Sequence, residues 1–283
     1  MPSSTGSRAL YAGGAASRPP DGDVIVFDRV TYDIGGRTIL SDVSFKVEAG
    51  TTTIVLGPSG IGKSTILRLT LGLIRPKSGD IFVLGRSMVH AAKDERNELR
   101  RRIGMVFQNG ALFDSLTVGE NVGYSLIEHS RMPIDQIEER VRRMLVLVGL
   151  DPAIILDSLP NELSIGMQRR TAIARALASN DPAIMLYDEP TTGLDPVSVE
   201  MITDIIVRLR QELHVTSVVV THEIPHALKV GNRFLFLYDR RVVFDGTAEE
   251  LASTDVPELL KFLEPFKVSL AQAFHSFSEG MRP

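Results

Sequence analysis

The stretch GPSGIGKST, at residues 57–65, constrains the fold of this sequence more than any other. The apolar run before it, residues 53–56, predicts a buried strand, and residues 66–69 after it predict the start of a helix. The glycines of the loop allow successive backbone N–H groups to turn inward, and the helix start adds a partial positive charge. Strand, glycine loop and helix together therefore predict a phosphate cradle.

Every residue of this loop is a predicted nucleotide-binding residue: Gly57, Pro58, Ser59, Gly60, Ile61, Gly62, Lys63, Ser64 and Thr65. Lys63 is long enough to reach the β- and γ-phosphates of a nucleotide, and the hydroxyl of Ser64 suits magnesium. The alternative is a plain glycine turn, which the flanking strand and helix disfavour.

Composition bounds the remaining possibilities. A chain of 283 residues can form one large domain, or one domain with a substantial insertion. The net charge of −4 argues against a nucleic-acid partner, because binding a phosphate backbone needs an excess of Lys and Arg. The absence of cysteine excludes disulfides and thiolate chemistry. No apolar run approaches the roughly 18 residues of a membrane span, so we expect a partner to supply any spans.

The N-terminal residues 1–22 are rich in Ser, Gly, Ala, Arg and Pro and show no periodicity, which predicts a disordered leader. Arg8 and Arg18, with no acid before Asp21, leave an organellar transit peptide open as the alternative. No amphipathic helix accompanies these arginines, which weakens that alternative.

A helical insertion interrupts an otherwise α/β pattern. Strand patterns occur at residues 24–32, 39–47, 183–187, 217–220, 233–237 and 242–244. Between them the period becomes helical over residues 117–150, with one apolar face made of Val118, Val122, Leu126, Ile137, Val141, Met144, Leu145 and Val148. These patterns predict parallel strands and helices with an inserted helical subdomain at about residues 105–178.

Two acids end the apolar strand at residues 184–187. Asp188 and Glu189 would lie at the carboxyl edge of the sheet, where open α/β sheets bind ligands. Asp188 can hold magnesium through water, and Glu189 can orient and deprotonate an attacking water. Two solvated acids at a strand end are the alternative, which the phosphate loop makes less attractive.

A second predicted anion site precedes the helix at residues 168–178. Residues 163–167 read LSIGM, and a serine with free N–H groups at a helix start can bind an anion. Alone this signal is weak, because a serine at that place is usually only a cap. Three further positions add to it: Gln108 after the strand at residues 103–107, Asp195 in Gly-Leu-Asp, and His222 after a β run.

Together these residues resemble the ATP-binding subunits of ABC transporters over about residues 24–251. The resemblance implies an α/β P-loop NTPase (ABC ATPase) core with an antiparallel β subdomain and an inserted α-helical subdomain. It implies an ATPase domain at residues 23–253 that uses ATP and Mg²⁺. It also assigns Lys63, Gln108, Glu189 and His222 to catalysis; Ser64, Gln108 and Asp188 to magnesium; Asp195 to the D-loop; and Ser164, Ile165, Gly166 and Met167 to the signature.

The family resemblance further implies a head-to-tail homodimer, in which the signature of one copy closes over the phosphate loop of the other. Three departures from the family pattern matter here. Ile34 stands where most members have an aromatic residue that stacks on adenine, so the choice between ATP and GTP stays open, although Tyr32 is near. Ile165 and Met167 replace the usual Gly and Gln, and a β-branched Ile165 implies an ordinary negative φ.

Two short motifs resemble the Mla and Mce lipid-trafficking subgroup: Met167 before the basic pair Arg169-Arg170, and QNGALF at residues 108–113. This likeness implies lipid transport through an integral membrane permease. It further implies an Mce-type substrate-binding protein, a small regulatory subunit, and a place on the cytoplasmic face of the inner membrane. A small-metabolite importer is the alternative, followed by a non-transport ABC ATPase acting on DNA or ribosomes, and by a regulatory module without turnover.

The sequence at residues 222–226 also matches the zinc-protease pattern H-E-x-x-H. That site needs both histidines on one unbroken helix, and Pro225 disfavours such a helix except in its first turn. The preceding β run instead favours a histidine that follows a strand.

The C-terminal extension, residues 254–283, is unusually apolar, with Leu259, Leu260, Phe262, Leu263, Phe266, Phe274 and Phe277. Such a segment must be covered. It either packs on the core of its own chain or crosses to the second ATPase copy, where Phe274 and Phe277, at i and i+3, would share one groove.

Overall fold

A computed structural model of the chain describes residues 22–179 and 181–266. These residues form two compact units. The helical unit is Asn97–Val215, and the β-rich unit comprises the described residues on either side of it, 22–96 and 216–266. The predictions for residues 1–21 and for Phe274 and Phe277 lie outside the described residues.

The described residues contain ten strands: β1 (Asp23–Ile34), β2 (Arg37–Glu48), β3 (Thr52–Leu56), β4 (Ser78–Val83), β5 (Arg86–Ser87), β6 (Ile103–Val106), β7 (Ile184–Asp188), β8 (Thr216–Val220), β9 (Arg233–Tyr238) and β10 (Arg241–Gly246). The α-helices in the same residues are α1 (Lys63–Thr70), α2 (Lys93–Arg101), α3 (Val118–His129), α4 (Ile134–Leu147), α5 (Pro152–Ile155), α6 (Ile165–Ala178), α7 (Pro196–Leu213), α8 (Ile224–Val230), α9 (Ala248–Ala252) and α10 (Pro257–Leu263). Two 3₁₀ turns, Pro160–Glu162 and Glu264–Phe266, complete the assignment.

An antiparallel sheet with the order β2-β1-β4-β5 belongs to the β-rich unit. Strand β2 alternates exposed and buried residues from Asp42 to Glu48, because only one face of this part of the strand packs on the core. Phe27 of β1 and Phe45 of β2 stack with ring centroids 4.5 Å apart. This sheet is the antiparallel β subdomain that the sequence predicts.

The same unit holds a parallel arrangement in which β3 pairs with β8 on one side and with β9 on the other, while β10 runs antiparallel to β9. All five residues of β3 and all five of β8 are buried. Strands covered on both faces are the mark of a parallel α/β sheet, and the β-branched Val, Thr and Ile residues that dominate both sequences pack well in it. The predicted P-loop NTPase architecture is therefore present around β3.

The helical unit combines the parallel pair β6 and β7 with helices α3 to α7. Its predicted apolar face is buried throughout: Val118, Val122, Leu126, Ile137, Val141, Met144, Leu145 and Val148. The helical period is not continuous, however, since α3 ends at His129 and α4 begins at Ile134, directly after Pro133. A proline is suited to the boundary because it cannot donate a hydrogen bond within a helix.

Several elements differ from the sequence predictions. Helix α1 begins at Lys63 rather than Ile66, and α6 begins at Ile165 rather than Gln168. The short helices α5, α8 and α10 lack a predicted counterpart, and each has a proline in its first turn. Helices of four to seven residues are too short to show a hydrophobic period, which is why the pattern missed them.

The C-terminal helix α10 packs within the β-rich unit. Leu259 and Leu263 are buried, and the ring of Phe262 lies 5.1 Å from that of Phe236, centroid to centroid. The first part of the apolar extension is thus covered by its own chain. No helix among residues 22–179 and 181–266 has the length and hydropathy of a membrane span.

Candidate functional site

The phosphate loop between β3 and α1 takes a backbone path that only glycine can follow at two positions. Gly57 has φ of 153° and Gly62 has φ of 113°. A Cβ on Gly57 would lie 2.5 Å from the backbone oxygen of Leu237, and one on Gly62 would lie 2.9 Å from Cγ2 of Ile39. The positive φ values and the close neighbours together explain why side chains are absent at these positions.

Lys63, the first residue of α1, is almost fully buried. Its Nζ donates hydrogen bonds to the carbonyl oxygens of Gly57, at 2.8 Å, and Pro58, at 3.1 Å. The ammonium thus lies within the curve of the loop. No acidic residue occupies the first turn of α1, so nothing in that turn neutralises the positive end of the helix. This arrangement suits a phosphate group.

His222 follows strand β8 and lies at the same edge of the sheet as the phosphate loop. In the parallel pair β3 and β8, Val55 is in register with Val220. Gly57 and His222 each follow their paired residue by two positions. Because parallel strands end on the same side of a sheet, the β-rich unit brings the loop and this exposed histidine to one edge.

The zinc-protease pattern does not form its helix. Helix α8 begins at Ile224, so His222 lies before it, while His226 lies on it. Pro225 occupies the first turn, the one helical place where a proline is tolerated. The Nδ1 atom of His226 is 3.2 Å from Oε2 of Glu223. The two histidines are therefore not presented together on one helix face.

The helical unit repeats the same edge arrangement with β6 and β7. Val106 is in register with Tyr187, and Gln108 and Glu189 each follow two positions later. Asp188, the last residue of β7, is buried. The structure therefore brings together, at the carboxyl edge of this strand pair, the glutamine and the two acids that the sequence predicts.

Glu189 has a left-handed backbone, with φ of 49°. That conformation is costly for a residue with a long side chain and tends to persist where function requires it. The Oε2 atom of Glu189 accepts a hydrogen bond of 3.2 Å from the Thr192 hydroxyl. Glu189 is half-buried, unlike the buried Asp188 before it.

The signature residues begin helix α6. Ser164 is the N-cap, and its hydroxyl accepts a 3.2 Å hydrogen bond from the backbone N–H of Met167. Ile165 is 60% exposed and has an ordinary helical backbone, as its β-branched side chain requires. Ser164 and Ile165 are exposed at the start of this helix, whose partial positive charge suits an anion.

Gly166 brings the signature against the start of helix α7. A Cβ on Gly166 would lie 2.3 Å from Oγ and 2.8 Å from Cβ of Ser198. Asp195 caps α7 and accepts hydrogen bonds from the Ser198 N–H, at 3.0 Å, and from its hydroxyl, at 2.6 Å. The Ser198 hydroxyl, followed by its N–H, holds the pKa of Asp195 below its usual range. Signature and D-loop are thus neighbours within this unit.

Two residues that support these loops were missed by sequence reasoning. The side-chain amide of Gln168 donates to the carbonyl oxygens of Pro160, at 2.8 Å, and Leu163, at 3.1 Å, and so holds the turn before the signature. Ser198 donates a hydrogen bond to Asp195 and also lies directly against Gly166. The N-cap at Asp195 was detectable from its residue type, but the capping-box pattern has Glu or Gln three residues later and so gave no signal for Ser198. Gln168 had no signal beyond its place in a helix.

Ile34 is the last residue of β1, next to the turn into β2, and is 59% exposed. Its side chain is available for contact with a flat ring. The loop residues Ser59 and Gly60 are likewise exposed, while Ile61, Ser64 and Thr65 are half-buried.

Comparison with known proteins identifies the family. A family model described as ABC transporter matches residues 40–192. The chain belongs to the ABC transporter family. Among its relatives is the intermembrane phospholipid transport system ATP-binding protein MlaF of Haemophilus influenzae, 37% identical over 86% of this chain and 90% of its own length. The chloroplastic protein TRIGALACTOSYLDIACYLGLYCEROL 3 of Arabidopsis thaliana is 38% identical over 86% of this chain and 74% of its own length.

Another relative is described as a probable ribonucleotide transport ATP-binding protein, mkl of Mycobacterium leprae, 35% identical over 90% of this chain and 72% of its own length. Two solved structures are also similar. A dimeric ATP-binding cassette in a post-hydrolysis state with ADP and Pi has a TM-score of 0.72, 35% identity, and coverage of 79% of this chain and 98% of its own. The cassette cbiO1 of Clostridium perfringens has a TM-score of 0.75 at 26% identity, covering 89% of this chain and 99% of its own.

Membership of the ABC transporter family confirms the predicted P-loop NTPase fold and the predicted ATPase activity. The chain is an ATP-binding subunit of this family, and a nucleotide is its ligand. The roles of its individual residues stay predictions, to which the geometry above gives physical support.

Proposed function

We propose that this chain hydrolyses ATP to drive phospholipid or other lipid transport through a membrane permease. The observation that carries the proposal is the similarity to MlaF, which is described as part of an intermembrane phospholipid transport system and is covered over 90% of its length. The Gly-Met-x-Arg-Arg sequence at residues 166–170 fits the same subgroup. The relative mkl, described as a probable ribonucleotide transporter, supplies the alternative cargo class.

In this proposal Glu189 accepts the proton of the attacking water, and His222 assists at the edge of β8. Lys63 leaves the carbonyl oxygens of Gly57 and Pro58 and donates to phosphate oxygens instead, since these carry more negative charge. Ser64, Gln108 and Asp188 supply the hydroxyl, amide and carboxylate oxygens that magnesium prefers. The bound ion would neutralise charge that develops on the phosphates.

The active assembly in this proposal is a head-to-tail homodimer bound to an integral membrane permease. The dimeric solved relatives support it. In this chain, Ser164 and Ile165 are exposed at the start of α6, as a signature that acts on a second copy requires. An Mce-type substrate-binding protein and a small regulatory subunit are the further proposed partners, with the cytoplasmic face of the inner membrane as the location.

The catalytic part of the proposal is tested by Glu189→Gln. We expect ATP binding to persist and hydrolysis to fall at least about 100-fold, the usual scale for losing a general base. ATP-bound dimers should then accumulate in size-exclusion chromatography. Glu128→Gln, at an exposed position of α3, is the control and should hydrolyse ATP at the wild-type rate. Near-normal turnover in Glu189→Gln would remove Glu189 from this role.

The transport part is tested by reconstitution with the membrane proteins encoded beside this gene. We expect ATP- and magnesium-dependent transfer of a fluorescent phospholipid between vesicles, absent with Glu189→Gln. Radiolabelled ribonucleotide uptake in the same vesicles measures the alternative. Ribonucleotide uptake without lipid transfer would overturn the lipid proposal and leave the ATPase assignment intact.

A further inference from the structure

The segment that contains Gln108 is fastened to helix α6 through its backbone carbonyls. We name residues 107–113 the Q-loop segment. Arg169 of α6 donates from Nη1 to the carbonyl oxygen of Phe107 at 2.6 Å. Arg175, on the same helix, donates to the carbonyl oxygens of Gly110, at 2.9 Å, and Ala111, at 2.8 Å. Two guanidinium groups of one helix therefore hold three carbonyls around Gln108.

The Q-loop segment folds back on itself to present these carbonyls. Gly110 and Ala111 have left-handed backbones, with φ of 70° and 50°. The N–H of Gly110 donates to the Phe107 carbonyl at 2.8 Å, so that carbonyl accepts from both the turn and Arg169. The Arg175 guanidinium also lies over the Phe113 ring, 5.8 Å from its centroid. The left-handed Ala111 is a strained residue that the surrounding contacts must hold in place.

The far end of the segment is fixed to helix α3. Asn121, which is fully buried, accepts from the N–H of Phe113 at 2.8 Å and donates to its carbonyl at 3.1 Å. The Q-loop segment is thus held at Phe113 by α3 and at three earlier carbonyls by α6. Its contact with α6 is the one that includes Phe107, the residue directly before Gln108.

These arginines are costly to bury. Arg169 is only 4% exposed, and its Nε has no hydrogen-bond partner among the described residues. Burial lowers the pKa of both Arg169 and Arg175. A buried charge without an ion pair reduces stability compared with an apolar side chain of similar volume. Leucine or methionine at position 169 would make the fold more stable. We therefore infer that the guanidinium of Arg169 is present for its hydrogen bond to Phe107 and not for stability.

We propose that Arg169 and Arg175 are positioning residues that make the Q-loop segment and helix α6 move as one body. The inference rests on the proposed roles of Gln108 and the signature. Because Ser164 caps the same helix, a displacement of α6 at the signature is passed to Phe107 and thence to Gln108. Neither arginine contacts the nucleotide, and each acts through the backbone that carries the glutamine.

The neighbouring Arg170 supplies a matched control. It lies on the same helix, burial also lowers its pKa, and its Nη1 donates to the Gly149 carbonyl at 2.6 Å. Its acceptor follows α4 and is outside the Q-loop segment. Arg169→Gln and Arg170→Gln thus remove the same kind of bond from the same helix, with different consequences for Gln108.

We expect Arg169→Gln to lower kcat about 10-fold, the scale of losing a hydrogen bond to a charged group, while KM for ATP stays within about twofold. The magnesium concentration for half-maximal activity should rise, because Gln108 is a proposed ligand. Arg169→Lys, which keeps a positively charged N–H donor, should recover most of the activity. Arg170→Gln should keep wild-type kcat and magnesium dependence.

A double-mutant cycle with Gln108→Ala decides whether Arg169 acts through Gln108. In that background we expect Arg169→Gln to cause no further loss of kcat, because the side chain that it positions is already missing. Losses that multiply, or an Arg170→Gln defect equal to that of Arg169→Gln, would overturn the proposal.

Amide hydrogen exchange tests the same attachment without catalysis. The Gly110 amide should exchange at least about 10-fold faster in Arg169→Gln and at the wild-type rate in Arg170→Gln. Unchanged exchange in both variants would refute the attachment. A wild-type chain without magnesium-dependent ATPase activity would instead refute the proposed function, and exchange alone would then decide the inference.

Discussion

Replacing Gly166 by alanine places a methyl group 2.3 Å from Oγ and 2.8 Å from Cβ of Ser198. The hydroxyl can rotate away, but only by giving up its 2.6 Å hydrogen bond to Asp195. The Cβ of Ser198 cannot move without moving the start of helix α7. Overpacking of this kind costs about 1–3 kcal/mol. Alanine at a helical position returns about 1 kcal/mol relative to glycine, so the net loss is about 1 kcal/mol.

A double-mutant cycle separates the two contributions. In a Ser198→Gly background the obstacle is gone, and Gly166→Ala should increase the free energy of unfolding by about 1 kcal/mol through helix propensity alone. The coupling between the positions is then about 2 kcal/mol, measured by urea denaturation of the four proteins. Ser198→Ala is the matched control, since its retained Cβ should preserve much of the clash. ATP turnover of Gly166→Ala should fall as well, because the methyl group would push the signature away from the start of α7.

A coupling free energy below about 0.5 kcal/mol would refute the close approach of these two helices, since independent sites add within that margin. Lost stability that Ser198→Gly fails to restore would point to the same conclusion. If Gly166→Ala lost ATP turnover while its free energy of unfolding stayed the same, the methyl group would be interfering with nucleotide and not with Ser198.

Three further predictions concern the exposed Ile34 and the C-terminal segment. Because the exposed Ile34 offers an aliphatic contact and no π-face, KM for ATP and GTP should differ by less than about 100-fold in steady-state assays, and a larger ratio would show another source of base selectivity. In the C-terminal helix, Leu259→Ala should lower the free energy of unfolding by about 2–5 kcal/mol, since that side chain is fully buried. Truncation after Pro265 should weaken assembly with the permease and leave the melting temperature of the monomer nearly unchanged. A large drop in that melting temperature, with dimerisation unaffected, would instead indicate that the segment packs on the core of its own chain.

Local patterns were enough to predict the phosphate loop and the two acids at the end of β7. In each case the chemistry lies within a few residues of a strand whose apolar run is continuous, as in Thr52–Leu56 and Ile184–Asp188. The carboxyl-edge rule then placed Asp188 and Glu189 correctly at the end of β7. Such sites are predictable because one strand and one turn determine them.

Contacts between distant parts of the sequence were not predictable in this way. The approach of Gly166 to Ser198 depends on how α6 and α7 pack, and the bond from Arg169 to Phe107 joins residues 62 positions apart. Nothing in a single sequence specifies which helix face meets which loop. The break between α3 and α4 is different, because Pro133 gave a usable signal that the helical period concealed.

At Glu189, whose backbone is left-handed, a substitution that raises the stability of the protein would lower its ATP turnover. Glycine or asparagine would relax that backbone, since both adopt positive φ more readily than glutamate. Either replacement would also remove the carboxylate proposed to receive the proton from water. Thermostability engineering directed at strained residues would therefore select this site early and return a sturdier protein that binds ATP without consuming it.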